Sequence, residues 1–222
     1  MLHQRNVATR CVVGLGNPGR EYADTRHNVG FRVVDALVRK WNAGRGRKVF
    51  NGKLFKTLAG PSPVPVLLFQ PHTFMNRSGS AVRDVAGFHK IDRADLLIVL
   101  DDMAMPLGQL RLRGGGSAGG HNGLADVLEA FGAGDVSRLR VGIGAAPPRM
   151  DAADYVLRPF RAGEKEKIEQ AIEHAAQAVE DWVIEGIEYA MGKHNSKATG
   201  QELPDTASPG TTARRGQGSD GR

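Results

Sequence analysis

Apolar and polar positions along the chain follow two periods, and their order outlines the fold. Val12 to Leu15 is a short apolar run that predicts a first strand, and Phe31, Val34, Leu37, Val38 and Trp41 fall at the spacing of a first helix. Asn42 to Lys48, NAGRGRK, reads as a basic turn, with strands at Phe50 to Leu58 and Val64 to Gln70 around a turn at Gly60 to Pro65. Val82, Val85, Ala86 and Phe88 suit a short helix over Ser80 to His89. Leu96 to Leu100 is a continuous apolar run ended by Asp101 and Asp102, the pattern of a buried central strand whose C-terminal end meets solvent. Leu124, Val127, Leu128 and Phe131 mark another helix, Leu139 to Gly144 another buried strand, and Tyr155 to Phe160 an irregular link. From Gly163 to Met191 the helical period persists, with a break expected near Gly186. This order predicts an α/β fold: a single three-layer α/β/α domain over residues 1–193, around a central mixed, largely parallel sheet.

Composition changes the picture at the two ends. In residues 194–222 the only large apolar side chain is Leu203, so this segment is expected to be a polar, disordered tail. Its Arg214 and Arg215 are at most weak RNA contacts, and a solvated tail is the simpler expectation. The N-terminus has no long apolar stretch before the first strand, and no run approaches a membrane span, so a cytoplasmic protein is expected. The one cysteine, Cys11, starts a buried strand, where an inert thiol is expected.

Charge narrows the partner. Residues 1–160 carry 22 basic and 13 acidic side chains, whereas residues 161–193 carry 4 and 8. A basic body beside an acidic helix fits either a polyanion such as nucleic acid or an evenly solvated basic surface. Arg111 and Arg113, and again Arg138 and Arg140, alternate along predicted strands. Period-two spacing puts each pair on one side of its strand, where guanidinium forks can grip phosphate or form surface salt bridges.

Candidate chemistry concentrates in the loop between the first strand and helix, GLGNPGREYADTRHNVGF, residues 14–31. Gly14, Gly16 and Gly19 spell GxGxxG, but no helix opens at the glycines and Asp35 falls inside the first helix, against a dinucleotide site. The glycines read instead as a sharp turn that lets substrate approach the backbone. His27 is the candidate general base, since a reference pKa of about 6.5 lets imidazole accept a proton near neutrality. Asp101 is a candidate to orient it; Asp102 would serve equally, and either could cap a helix. Asn17, Asn76 and Asn122 each lie in a loop after a strand, as turn residues or as amides that hold a peptide or an oxyanion. There is no GxSxG nucleophile. His27, His121 and Asp101 could hold a metal, but no recognised ligand spacing is present, so histidine-activated water is the simpler chemistry.

The segments GLGNPGREYADTRHNVGF, PHTFMNRSG, LDDMAMPLGQLRLRGGGSAGGHNGL and RLRVGIG occur in that order, and through them the chain resembles the bacterial peptidyl-tRNA hydrolase family over residues 8–193. The resemblance implies a monomeric α/β/α enzyme that cleaves the ester between a peptide and the 3′ ribose of tRNA, with no metal or cofactor. It further implies catalytic roles for His27, Asp101, Asn17 and Asn76, and substrate contacts for Tyr22, Met75, His121 and Asn122. Arg113 and Arg140 would grip tRNA phosphate, with arginine at 113 where some members have lysine. Ala104 departs from the acidic residue many relatives carry there. A non-catalytic RNA-binding relative, like the plant organelle splicing factors of this fold, and a nucleotide-dependent enzyme are the competing readings.

Overall fold

The computed structural model describes residues 8–195; the expected RNA-touching Arg214 and Arg215, and most of the expected tail, lie outside the described residues. Seven strands form one mixed sheet in the order β2-β3-β4-β1-β5-β7-β6. They are β1 (Arg10–Gly14), β2 (Arg47–Val49), β3 (Gly52–Ala59), β4 (Val64–Pro71), β5 (Leu96–Asp102), β6 (Leu110–Arg113) and β7 (Ser137–Gly142). The four central strands β4, β1, β5 and β7 run parallel, and the outer strands pair antiparallel. This is the three-layer α/β/α arrangement that the periodicity predicts.

The helices are α1 (Val29–Lys40), α2 (Ser78–His89), α3 (Asn122–Phe131), α4 (Ala152–Val156), α5 (Ala162–Glu185) and α6 (Ile187–His194). Central strands are buried on both faces because alternate residues feed two separate cores. Val12, Leu97, Val99, Leu139 and Val141 pack with α1 and α5, whereas Cys11, Val13, Leu96, Ile98 and Leu100 pack with α2 and α3. Cys11 is fully buried, which pushes its thiol up to about 12, as an inert core cysteine requires.

Two short elements depart from the sequence reading. The basic turn at 42–48 runs into β2, three exposed residues paired with β3, and the irregular link at 155–160 begins inside α4, which Asp151 caps through the Ala153 N–H at 2.8 Å. Neither is long enough to show a period. The break at Gly186 is present, with φ 87°, a left-handed geometry suited to glycine. Beyond it the fold continues through His194, which with Lys193 pairs Asp181, and Asn195, whose amide bonds both the N–H and the C=O of Leu112 on the edge strand.

Gly14 and Gly30 let two backbones meet. A Cβ at Gly14 would stand 2.2 Å from the Gly30 carbonyl oxygen, and one at Gly30 would stand 2.5 Å from the carbonyls of Leu15 and Val99. The start of α1 therefore touches the end of β1 backbone to backbone. Gly30→Ala is expected to cost about 3 kcal/mol by overpacking this contact, read as a lower denaturant midpoint at unchanged m-value.

Candidate active site

Parallel strands bring their C-terminal ends to one edge of the sheet, and the loops leaving them build the site. The loop after β1 ends in a 3-10 turn, Arg26–Asn28, that carries His27 into α1. Its two neighbours are buried anchors. Asn28 donates to the Asn17 carbonyl at 3.0 Å and accepts the Asn17 N–H at 2.8 Å, closing the loop on itself. Arg26, 2% exposed, pairs with Glu164 at 2.7 Å and lies over the rings of Tyr155 and Phe160, 4.5 and 4.7 Å from their centres. Its own N–H donates to the Arg158 carbonyl at 3.0 Å. His27 thus projects from a turn fixed on both sides.

His27 Nδ1 lies 2.7 Å from Asp101 Oδ1, and His121 Nε2 lies 3.0 Å from the same oxygen. Burial favours the neutral form of Asp101, but His121 and His27 more than offset this and hold the carboxyl well below the usual carboxylate range. An ionised carboxylate only accepts, so both imidazoles donate to it. His121 Nδ1 accepts the Leu124 N–H at 3.1 Å, at the start of α3, which fixes His121 as the neutral tautomer protonated on Nε2. His27, donating through Nδ1, keeps the lone pair of Nε2 for another proton.

The three groups form a cluster whose ligand atoms lie within 4.8 Å of one another, so the possibility of a metal has a geometric basis. The hydrogen bonds fit it poorly. The only lone pair of His121 is taken by a backbone N–H, and its other nitrogen bears the proton donated to Asp101. A ligand set needs those pairs free.

Alternation along β5 decides between the two carboxylates. Asp102 points to the other side, where its Oδ2 pairs with Arg140 at 3.0 Å and its Oδ1 accepts the Ala104 N–H at 2.8 Å. A cleft of about 590 Å³ is lined by His27, Asp101, Asp102, His121, Asn122 and Arg140, with α4 as its far wall. Asn17, Tyr22, Met75 and Asn76 are not in that lining. The Asn17 side chain accepts the Met75 N–H at 2.9 Å and so holds the turn after β4, and it lines a smaller cleft of about 210 Å³. Met75 is buried in contact range of Gly123 in α3. Asn76, next in that turn, and Asn122 are exposed, and Tyr22 is half-buried.

Register places all four strand arginines on one face, Arg111 opposite Arg140 and Arg113 opposite Arg138. Arg111 and Arg113 are exposed, but Arg138 is 1% exposed and donates to the carbonyls of Ser117 and Gly134, which corrects its reading as a phosphate contact. The glycine-rich loop folds over it, so the guanidinium does not reach the surface, although its buried Nε has no partner. Arg140 is partly exposed and is shared between Asp102 and Ser117.

The peptidyl-tRNA hydrolase family model matches residues 11–202. The chain belongs to the peptidyl-tRNA hydrolase family. It is 44% identical to the peptidyl-tRNA hydrolase of Elusimicrobium minutum (strain Pei191) over 186 residues, 84% of this chain and 98% of that one. It is 42% identical to that of Synechococcus sp. (strain JA-3-3Ab) over 212 residues, 93% of each. The crystal structure of peptidyl-tRNA hydrolase from Acinetobacter baumannii matches with a TM-score of 0.78 at 35% identity, covering 85% of this chain and 95% of that one. Family membership thus agrees with the likeness carried by the four motifs.

Sequence reasoning gave no role to Arg26 and Asn28, the anchors of the turn that carries His27. Their signal was available only as polar residues flanking His27. Arg26→Ala is expected to cost about 3 kcal/mol, because it leaves Glu164 without its buried partner and empties the space between two rings; thermal unfolding checks this.

Proposed function

We propose that this chain hydrolyses the ester joining the peptide to the 3′ ribose of tRNA, releasing free tRNA and a peptide acid. The observation that carries this reading is the His27–Asp101 hydrogen bond of 2.7 Å, which orients a neutral imidazole with a free Nε2 in an open cleft. Nε2 takes a proton from a water as that water attacks the ester carbonyl. The tetrahedral intermediate then expels the 3′ oxygen, which receives the proton from His27. Asp101 stabilises the transient imidazolium without itself being protonated.

His121 adds a second donor to Asp101 and keeps that carboxylate ionised and fixed. Asn76 and Asn122 supply exposed amides for the reacting carbonyl and the peptide, while Asn17 acts by setting the Met75 turn that presents Asn76. Met75 and Tyr22 border the path of the substrate. Arg111 and Arg113 offer exposed guanidinium groups to tRNA phosphate, and Arg140 joins them by exchanging Asp102 for the substrate. No step in this scheme calls for a metal or cofactor. The chain acts as a monomer in the cytoplasm, a reading consistent with the finding that no described helix is long and apolar enough to cross a membrane.

A peptidyl-tRNA turnover assay tests the scheme. His27→Ala is expected to lower kcat by roughly 10²- to 10⁴-fold, and Asp101→Asn to lower it substantially with the substrate still bound. Wild-type turnover is expected to survive chelator. Full activity in His27→Ala would remove the base role, and no turnover by the wild type would favour the non-catalytic RNA-binding alternative. Since Asp101 stays ionised far below neutrality, an acidic limb in kcat/KM is expected to report protonation of the base, and to disappear with it; a flat limb in the wild type would contradict the scheme.

A further inference from the structure

Residues 36–83 hold nine lysines and arginines and no carboxylate, and four of them, Arg47, Lys48, Lys53 and Lys56, lie on the β2–β3 edge, the side of the sheet opposite Arg111 and Arg113. Register puts Arg47 opposite Leu54 and Val49 opposite Gly52, so Arg47, Val49, Lys56 and Leu58 share the face on which α2 packs. The helical layer does not cover this edge. Val49 is 38% and Leu58 58% exposed.

Three aromatic rings stand there in mutual contact. Phe88, at the end of α2, is 71% exposed, and its ring centre lies 5.2 Å from Phe50 and 5.0 Å from His89. Phe50 occupies the hairpin turn at φ 54°, followed by Asn51 at φ 52°, whose carbonyl accepts the His72 N–H at 2.8 Å and so ties the turn to the end of β4. Two consecutive residues in the left-handed region make the tight turn of the β2–β3 hairpin, and Phe50 is half-buried there against the core under α2. Burial, and then the charge of Lys56, push the His89 imidazole down, which keeps it a neutral ring beside Phe88. Among the described residues Arg45, Arg47, Lys56 and Lys90 form no salt bridge; Asp84, one turn before Phe88, and Asp92 are the nearby carboxylates in sequence.

A flat aromatic surface rimmed by unpaired cations suits bases stacked on rings with phosphates on the flanking charges. We propose that this edge is a second RNA contact, on which an unpaired stretch of the tRNA substrate stacks a base against Phe88, backed by Phe50 and His89, with phosphate on Arg47 and Lys56. The proposal rests on the reading of the substrate given above. The source is the substrate because the hairpin turn lies at the end of the sheet where β4 leads into the Met75 turn, the same end at which β1 and β5 present His27 and Asp101. An acidic protein would answer the charge but would leave exposed rings without their natural partners.

The full chain, as wild type, Phe88→Ala, Phe88→Trp, Arg47→Ala and Lys56→Ala, is titrated with deacylated tRNA by fluorescence anisotropy at several salt concentrations. The same proteins are assayed for turnover of peptidyl-tRNA and of a minimal N-acetylaminoacyl ester of adenosine. Phe88→Ala is expected to weaken tRNA binding and raise KM for peptidyl-tRNA about tenfold, with Phe88→Trp restoring both. Arg47→Ala and Lys56→Ala are each expected to lower the salt slope by about one. The loss is expected to be confined to the full-length substrate. Wild-type tRNA affinity in Phe88→Ala, or an equal loss on the minimal ester, would overturn the proposal. Absence of turnover by every protein would instead refute the substrate reading, while the anisotropy series would still decide the contact.

Discussion

The backbone contact between β1 and α1 is the constraint on which the site depends. With glycine on both sides, the start of the helix lies directly on the end of the strand, and the residues between them have no room to wander. The loop is forced out over the strand ends as a compact excursion, and Asn28 closes it by bonding both backbone groups of Asn17. His27 sits immediately before that clamp and immediately after Arg26, whose guanidinium is buried against the α4–α5 region. A histidine on a surface loop would sample many rotamers; here its flanking residues are part of the interior. The orientation of the His27 ring comes from packing as much as from its hydrogen bond to Asp101.

Electrostatics completes what packing begins. Asp101 is almost wholly buried, an environment that disfavours its charge, yet two imidazoles converge on one of its oxygens and keep it ionised. His121 does this while capping α3, so the helix start, the carboxylate and His27 are linked in one hydrogen-bonded chain. The adjacent Asp102 faces the opposite way and neutralises Arg140. Two neighbouring carboxylates thus serve two different tasks because a strand turns successive residues to opposite sides.

The charge of the body is also organised by the sheet. Both outer edges carry arginines or lysines on the face packed by α2 and α3, with Arg111 and Arg113 at one end and Arg47 and Lys56 at the other. Acidic residues gather on α5 and pair with cations of neighbouring segments, as Glu164 does with Arg26 and Glu180 with Lys40.

Much of this was written in the sequence because periodicity is a local property. Apolar runs of strand length, helical spacing in α1, α3 and α5, and the glycine break at 186 determined the elements, their order and hence the fold class. The placement of His27 and Asp101 at strand ends followed from the same reading, and the ordered motifs marked the family. The short β2 and α4 carried no period and escaped. Tertiary structure alone decided which carboxylate meets His27, that Asn17 serves Met75, that Arg138 is buried while Arg111 and Arg113 are not, and that Arg26 and Asn28 are anchors. Most of these depend on partners far along the chain, 58 residues away for Asn17 and Met75 and 138 for Arg26 and Glu164, and no local pattern encodes contacts that exist only once the layers have closed.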